Sequence, residues 1–383
     1  MKWEKVKLGD VCQSIADGDH QAPKKQENGV PFITISNIDS NNRIDFSNCL
    51  YVSDDYYEAI SDKRKASKGD ILYSVVGSFG IPVLLKEKLK FTFQRHIAIL
   101  RPDKNKVLSA FLYYCMLTRD FYLQADSVAI GSAQRTITLG ALNNMQVSLP
   151  PLPIQKRIAS ILSAYDNLIE NNQKQIKLLE EAAQRLYKEW FVDLRFPGHE
   201  NVKIVDGVPE GWSYKKLVEL AEFKRGKTIT KSSVKEGEVP VIAGGLEPAY
   251  FHNTANTVAP VITVSASGAN AGYTALHNQN VWASDCSFVD SRTCEYPYYA
   301  YNFLKSNKKM MINLQKGSAQ PHVYAKNIND LTLLIPKELV LKEYSDKTER
   351  IYKSIFDKTK QISSLREARA RLLPKLMSGE IEV

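Results

Sequence analysis

The four residues Gly131-Ser132-Ala133-Gln134 return as Gly317-Ser318-Ala319-Gln320, 186 residues later, and the same offset then persists without a gap. Leu149-Pro150 maps onto Ile335-Pro336, Lys174-Gln175-Ile176 onto Lys360-Gln361-Ile362, Glu181-Ala182 onto Glu367-Ala368, and Arg185-Leu186 onto Arg371-Leu372. Chance seldom keeps register that long, so the chain contains the same structural unit twice. Upstream the copies diverge in length: Trp3 and Leu8 match Trp212 and Leu217 at an offset of 209, and Ile71-Leu72 matches Val261-Ile262 at 190. The falling offset locates insertions in the first copy. Each half therefore reads as a body free to vary in length, followed by a segment that is not.

In the bodies, strand-like runs at 31–35, 71–76 and 258–264 are broken by clusters of Gly, Asn, Asp and Ser, with short helices expected at 109–118 and 298–306. This pattern predicts an α+β class, each body carrying a substantial, curved, mixed sheet. The boundaries follow: a first body at 1–150, a helical segment at 151–196, a second body at 197–336 and a second helical segment at 337–383.

After Pro150-Pro151-Leu152-Pro153, apolar residues recur at Ile154, Ile158, Ile161, Tyr165, Ile169, Ile176, Leu179, Ala183, Leu186 and Trp190, mostly in alternating steps of three and four. That spacing is a coiled-coil seam. Proline is tolerated in a first turn, so the helix is expected to begin near Pro153 and to span about 55 Å by Trp190 at 1.5 Å per residue. Ile351, Ile355, Ile362, Leu365, Leu372 and Leu376 repeat the seam in phase, and the polar Asn172 maps onto Lys358. A solitary helix with such a stripe is unstable in water. The two are expected to pack antiparallel on each other, the halves related by a pseudo-twofold axis; core helices of a larger domain are the alternative. Constant length favours a spacer, because each deleted residue shortens a helix by about 1.5 Å and turns it by about 100°.

Lys and Arg number 51 against 42 Asp and Glu, a formal charge of +9, which favours a polyanionic partner. The five cysteines (Cys12, Cys49, Cys115, Cys286, Cys294) form no C-x-x-C pair and read as reduced thiols of a cytoplasmic protein. No leader-like apolar segment opens the chain, and no apolar run is long enough to span a membrane.

Two diverged heads on a spacer would read two unlike half-sites of a split, asymmetric DNA target. At this point the residues resemble a known family, the specificity (S) subunits of type I restriction-modification enzymes. The likeness covers nearly the whole chain and is most specific in Leu149-Pro150-Pro151-Leu152-Pro153-Ile154-Gln155-Lys156-Arg157-Ile158, in Tyr187-Lys188-Glu189-Trp190-Phe191-Val192-Asp193 and in Leu376-Met377-Ser378-Gly379-Glu380-Ile381. It implies two target-recognition domains alternating with two helical regions. It also implies partnership with methyltransferase (M) subunits and endonuclease/translocase (R) subunits, with S-adenosylmethionine, ATP and Mg bound on those partners and no cofactor on this chain. The second copy departs from the pattern at Pro336-Lys337-Glu338-Leu339-Val340-Leu341, which lacks the doubled proline and the Gln-Arg pair.

Base reading needs Arg, Lys, Asn, Gln or carboxylates on exposed loops, and phosphate contacts need basic side chains or backbone amides. The candidate DNA-binding residues of the first head are Gly77, Ser78, Phe79, Gln94, Arg95, His96, Ser132, Gln134 and Arg135. In the second head the matched loops offer Ser267, Asn270, Ser284, Asp285, Ser318, Gln320 and His322, and Lys224, Arg225 and Lys227 add a basic loop. For each residue the bland reading is a solvated turn. The helix residues Lys156, Arg157, Lys174, Lys177, Arg185 and Lys188 could face spacer phosphates, but a charge run on a helix is more often a solvated face. Trp190, Phe191 and Phe196 form either a patch for a partner subunit or packing against the neighbouring head.

Catalytic chemistry is missing. The segment 221–228 fits a relaxed phosphate-loop pattern with alanine for the first glycine, but it does not follow a buried strand. No Asn-Pro-Pro-Tyr or Asp-Pro-Pro-Tyr methyltransferase motif occurs, and the six histidines lack metal-ligand spacing. A DNA-recognition and scaffold subunit is the leading reading. A fused DNA-processing enzyme would need the absent motifs, and a coiled-coil adaptor without a nucleic-acid role would bind without a salt slope.

Overall fold

A computed structural model describes residues 3–19, 23–39, 41–132, 134–315 and 321–383. The chain forms two compact units: residues 1–170 with 363–383, and residues 171–362. Each unit thus takes its own head together with one stretch of each of two long helices, Leu152–Tyr187 (36 residues) and Glu338–Ser378 (41 residues). Their first residues lie 186 positions apart, the offset the sequence repeat gives.

In the first unit a four-stranded antiparallel sheet runs in the order Cys12–Asp17, Ile97–Pro102, Ile71–Ser74, Pro82–Leu84. A three-stranded mixed sheet runs Leu50–Val52, Val30–Ile33, Thr92–Phe93, and Glu4–Lys7 pairs with Gln146–Leu149. The second unit repeats this plan: Lys224–Arg225, Cys286–Asp290, Val261–Ser265, Thr274–His277 in one sheet, Tyr250–His252, Val239–Ile242, Trp282–Ala283 in the next, and Ser213–Lys216 against Thr332–Ile335.

Register, not only order, is repeated. Glu4 faces Leu149 as Ser213 faces Ile335; Phe32 faces Thr92 as Val241 faces Trp282; Ile71 faces Leu100 as Val261 faces Asp290. The drop in offset from 209 to 190 falls between the strands Val30–Ile33 and Ile71–Ser74, where the first copy carries the extra helix Asp54–Ala59. A surface excursion there leaves the sheet pairing untouched, because loop closure costs only weakly more as a loop lengthens.

Every residue of the expected seam is buried or half-buried. Within each unit the two helix segments run antiparallel. Asp166 pairs with Arg369 in the first unit, and the buried Asn172 donates to Gln361 Oε1 at 3.2 Å in the second. The polar seam residue therefore meets Gln361 and not its repeat mate Lys358, since an antiparallel partner is set by the crossing and not by the repeat. Gln155 explains how the first helix is anchored. Its side chain is 1% exposed, accepts from the Leu108 amide (2.9 Å) and donates to the carbonyls of Pro150 (2.8 Å) and Lys106 (3.2 Å). The corresponding residue of the second copy, Leu341, is 3% exposed and packs in an apolar cluster, so the motif's departure exchanges a polar clamp for apolar burial.

The alternative of a partner-facing aromatic patch fails. Trp190, Phe191 and Phe196 are buried in the second unit, with Phe191 edge-on to Tyr299 (4.7 Å) and Tyr344 (4.8 Å) and Phe196 against Trp212 (4.5 Å). Such ring pairs add about 0.5–1.5 kcal/mol each beyond area burial, a gain that docking the rings on another protein would forfeit.

Candidate nucleic-acid interface

The three loops predicted in the first head converge at the end of strand Ile71–Ser74. The Val75 amide donates to the His96 carbonyl (2.8 Å) while the Val75 carbonyl accepts from Ile137 (2.8 Å), so one backbone unit ties two loops together. The Gly77 amide donates to the Arg135 carbonyl (3.0 Å), closing the third. Gly77, Ser78, Arg95, Ser132 and Gln134 are exposed; Phe79, Gln94, His96 and Arg135 are half-buried.

Local chemistry fixes several of these side chains. The Gln94 amide group lies 3.0 Å from His96 Nδ1, and burial together with the neighbouring Arg95 charge holds His96 below the ordinary imidazole value, leaving it neutral at pH 7. The Arg135 guanidinium lies over the Phe79 ring (5.2 Å), Phe79 stacks on Tyr122 (6.0 Å between centroids, 13° between planes), and the Asp126 carboxylate and carbonyl both take N–H groups of Arg135. Tyr122 and Asp126 sit on the helix Arg119–Val128 and were not singled out from sequence. Their only sequence signal is proximity, nine residues separating Asp126 from Arg135. Beside the Gln94-Arg95-His96 turn a pocket of about 370 Å³ is lined by Asp19, Lys25, Tyr51 and the turn itself.

The second head repeats the convergence with other residues. The Val323 amide donates to the Ala266 carbonyl (2.9 Å), the Ala266 amide to the Asp285 carbonyl (3.4 Å) and the Gly268 amide to the Pro321 carbonyl (3.2 Å). The Asp285 carboxylate accepts from the Ser267 hydroxyl (2.5 Å) and pairs with Arg225 at 3.7 Å; Asn270 donates to the Gly244 carbonyl (3.3 Å); His322 stacks on Tyr324. Ser318 and Gln320 lie outside the described residues. Ser284 is turned inward: it is 3% exposed, and its hydroxyl accepts from the Ile229 amide (3.2 Å). Lys224 and Arg225 form a short strand against Ser287 and Phe288 instead of a loop, with Lys224 paired to Glu222 (3.2 Å), while Lys227 is exposed.

That strand also disposes of the phosphate-loop pattern. Gly226 is needed for close approach, since a Cβ there would stand 2.3 Å from the Ser284 carbonyl oxygen, and its counterpart Gly18 would meet the Phe93 carbonyl oxygen at 2.2 Å. Both glycines let the edge strand cross over the turn that carries the candidate residues.

Among the described residues no helix is long and apolar enough to cross a membrane. The model of the type I restriction modification DNA specificity domain matches residues 1–181 and 209–364, one match over each repeat. The chain is 24% identical over 423 residues to the type I restriction enzyme MjaIX specificity subunit of Methanocaldococcus jannaschii, covering all of this chain and 94% of that one. It is 21% identical over 470 residues to the HindI specificity subunit of Haemophilus influenzae, covering 99% of each. Among solved structures, the S subunit of a type I restriction-modification system from M. genitalium superposes with a TM-score of 0.65 over 98% of this chain and 96% of that one, at 19% identity, and so shares the fold. The repeated heads, the paired long helices and both family matches lead to one conclusion: the chain belongs to the type I restriction modification DNA specificity family, whose specificity subunits are the non-catalytic members of their enzymes.

Proposed function

We propose that this chain reads a bipartite, asymmetric double-stranded DNA target, one half-site per head, and scaffolds methyltransferase and endonuclease/translocase subunits in the cytoplasm. S-adenosylmethionine, ATP and Mg belong, in this reading, to those partners. The working division is 1–150 and 197–336 as target-recognition domains, with 151–196 and 337–383 as helical spacers. The observation that carries the reading is that two heads with the same strand order and register bring the same loops together while presenting different groups: Gln94, His96 and an Arg135 stack in one, Arg225, Asp285 and His322 in the other. Identical scaffolds with unlike loop chemistry suit two unlike half-sites.

Co-expression with the neighbouring methyltransferase subunit, followed by single-molecule mapping of methylated adenines, tests this. A split motif that appears only with this chain present is the expected result; methylation unchanged by its presence refutes it. Exchange of residues 1–150 for another head should alter one half-site only, and loss of both would mean that the heads are not modular.

A further inference from the structure

The short helix that packs each head onto its long helices is Ser109–Met116 in the first unit and Pro297–Ser306 in the second. Their starts lie 188 residues apart, and at that offset the fully buried Phe111 and Leu112 correspond to the fully buried Tyr299 and Ala300. Tyr114 then corresponds to Asn302, and Ala110 to Tyr298. On the long helices, at the offset of 186, Asp166 corresponds to Tyr352 and Arg369 to Ala183.

These positions make the same junction with inverted chemistry. In the first unit the head donates: the Tyr114 hydroxyl bonds Asp166 Oδ2 (2.6 Å) and lies 3.3 Å from Ser163 Oγ, while Arg369 binds the other carboxylate oxygen of Asp166. In the second unit the long helix donates: the Tyr352 hydroxyl bonds Asn302 Oδ1 (2.7 Å), and Gln184 donates to the same oxygen. Packing is inverted with it. Tyr352 is 3% exposed, stacked on Tyr298 (5.1 Å, 7°) and edge-on to Tyr301 (5.6 Å), with the fully buried Ala183 in place of the arginine.

We infer that Ala110, Tyr114, Asp166 and Arg369 in one unit, and Tyr298, Asn302, Tyr352 and Ala183 in the other, are two matched seating sets, so that each head accepts only its own helix pair. Mixing the sets is penalised in both directions. Tyrosine at 166 would face the Tyr114 ring with no aromatic partner at 110. Asparagine at 114 would leave Asp166 without its phenol donor. A buried polar group that loses its partner costs more than the bond itself contributed, and an overfilled contact adds strain. A head that carries the other seating set is therefore exchangeable only together with the long-helix residues it seats on, whereas a head with the same set can replace residues 1–150 alone; this adds to the proposed reading but does not depend on it.

The test uses the full chain and amide hydrogen exchange across Ser109–Met116. The helix half-set Asp166→Tyr/Arg369→Ala and the head half-set Ala110→Tyr/Tyr114→Asn should each exchange at least about tenfold faster than the parent. The four-residue set should return more than half of that loss on a logarithmic scale. The reciprocal set in the second unit, Tyr298→Ala, Asn302→Tyr, Tyr352→Asp and Ala183→Arg, read on Pro297–Ser306, should behave alike. Half-sets that precipitate while the full set stays soluble count in favour. Additive losses, a full set that fails to fold, or half-sets without effect would overturn the inference.

Discussion

Replacing Gln155 with alanine removes three hydrogen bonds from a position 1% exposed to solvent: one accepted from the Leu108 amide and two donated to the carbonyls of Pro150 and Lys106. The orphaned amide alone costs about 1–3 kcal/mol, and the two carbonyls bring the expected total to roughly 2–5 kcal/mol. Leucine, which the second copy carries at Leu341, should not rescue the loss, because the backbone groups around position 155 remain polar. With a urea slope of about 2 kcal/mol per molar, the midpoint should fall by about 1–2.5 M. Three of the four tryptophans (Trp190, Trp212, Trp282) lie in the other unit, so the transition is best followed by hydrogen exchange across Ser109–Met116. A change below about 0.5 kcal/mol, or full rescue by leucine, would refute the clamp.

Arg101→Ala should cost about 3–5 kcal/mol, since it strands the buried Asp70 carboxylate that Arg101 grips at 3.1 and 2.9 Å; the Asp70→Asn/Arg101→Met pair should recover much of this in a denaturation series. Burial pushes His277 down to about 4. The unfolded chain, with an ordinary value near 6.5, binds the extra proton first, so this contribution, at most about 3 kcal/mol, is present above pH ~6.5 and lost as pH falls towards 4. His277→Gln should flatten that stretch of the stability curve. For DNA binding, Lys227→Ala should lower the slope of log K against log salt by about one unit, whereas Ser284→Ala should leave affinity intact and reduce stability instead, as titrations at several salt concentrations would show. Under the spacer reading, seven residues inserted after Asn172 with a matched seven after Lys360 add about 10 Å, or roughly three base pairs, to the half-site gap. An insertion in one helix alone breaks the Asn172–Gln361 pairing, and methylome mapping distinguishes the two.

Much was determined by the sequence alone. The repeat, its three offsets and the helix seam are written in one dimension, because sheet register repeats with period two and helix faces with period 3.6, and both leave periodic apolar traces. The offsets also carry a strand pairing from one copy to the other, Ser213 facing Ile335 once Glu4 is seen to face Leu149, but the pairing itself is not written in them. Only the tertiary structure decided which side chains those elements turn inward and which distant groups meet. Ser284 and Asp285 are neighbours in a candidate loop, yet one hydroxyl is sealed beneath Ile229 while the next carboxylate reaches Ser267 and Arg225. Asn172 finds Gln361, Arg135 finds Asp126 and Phe79, and Trp190 with Phe191 closes a core. A contact between residues far apart in the chain leaves no periodic trace, because it depends on where rigid elements cross and not on the spacing along any one of them.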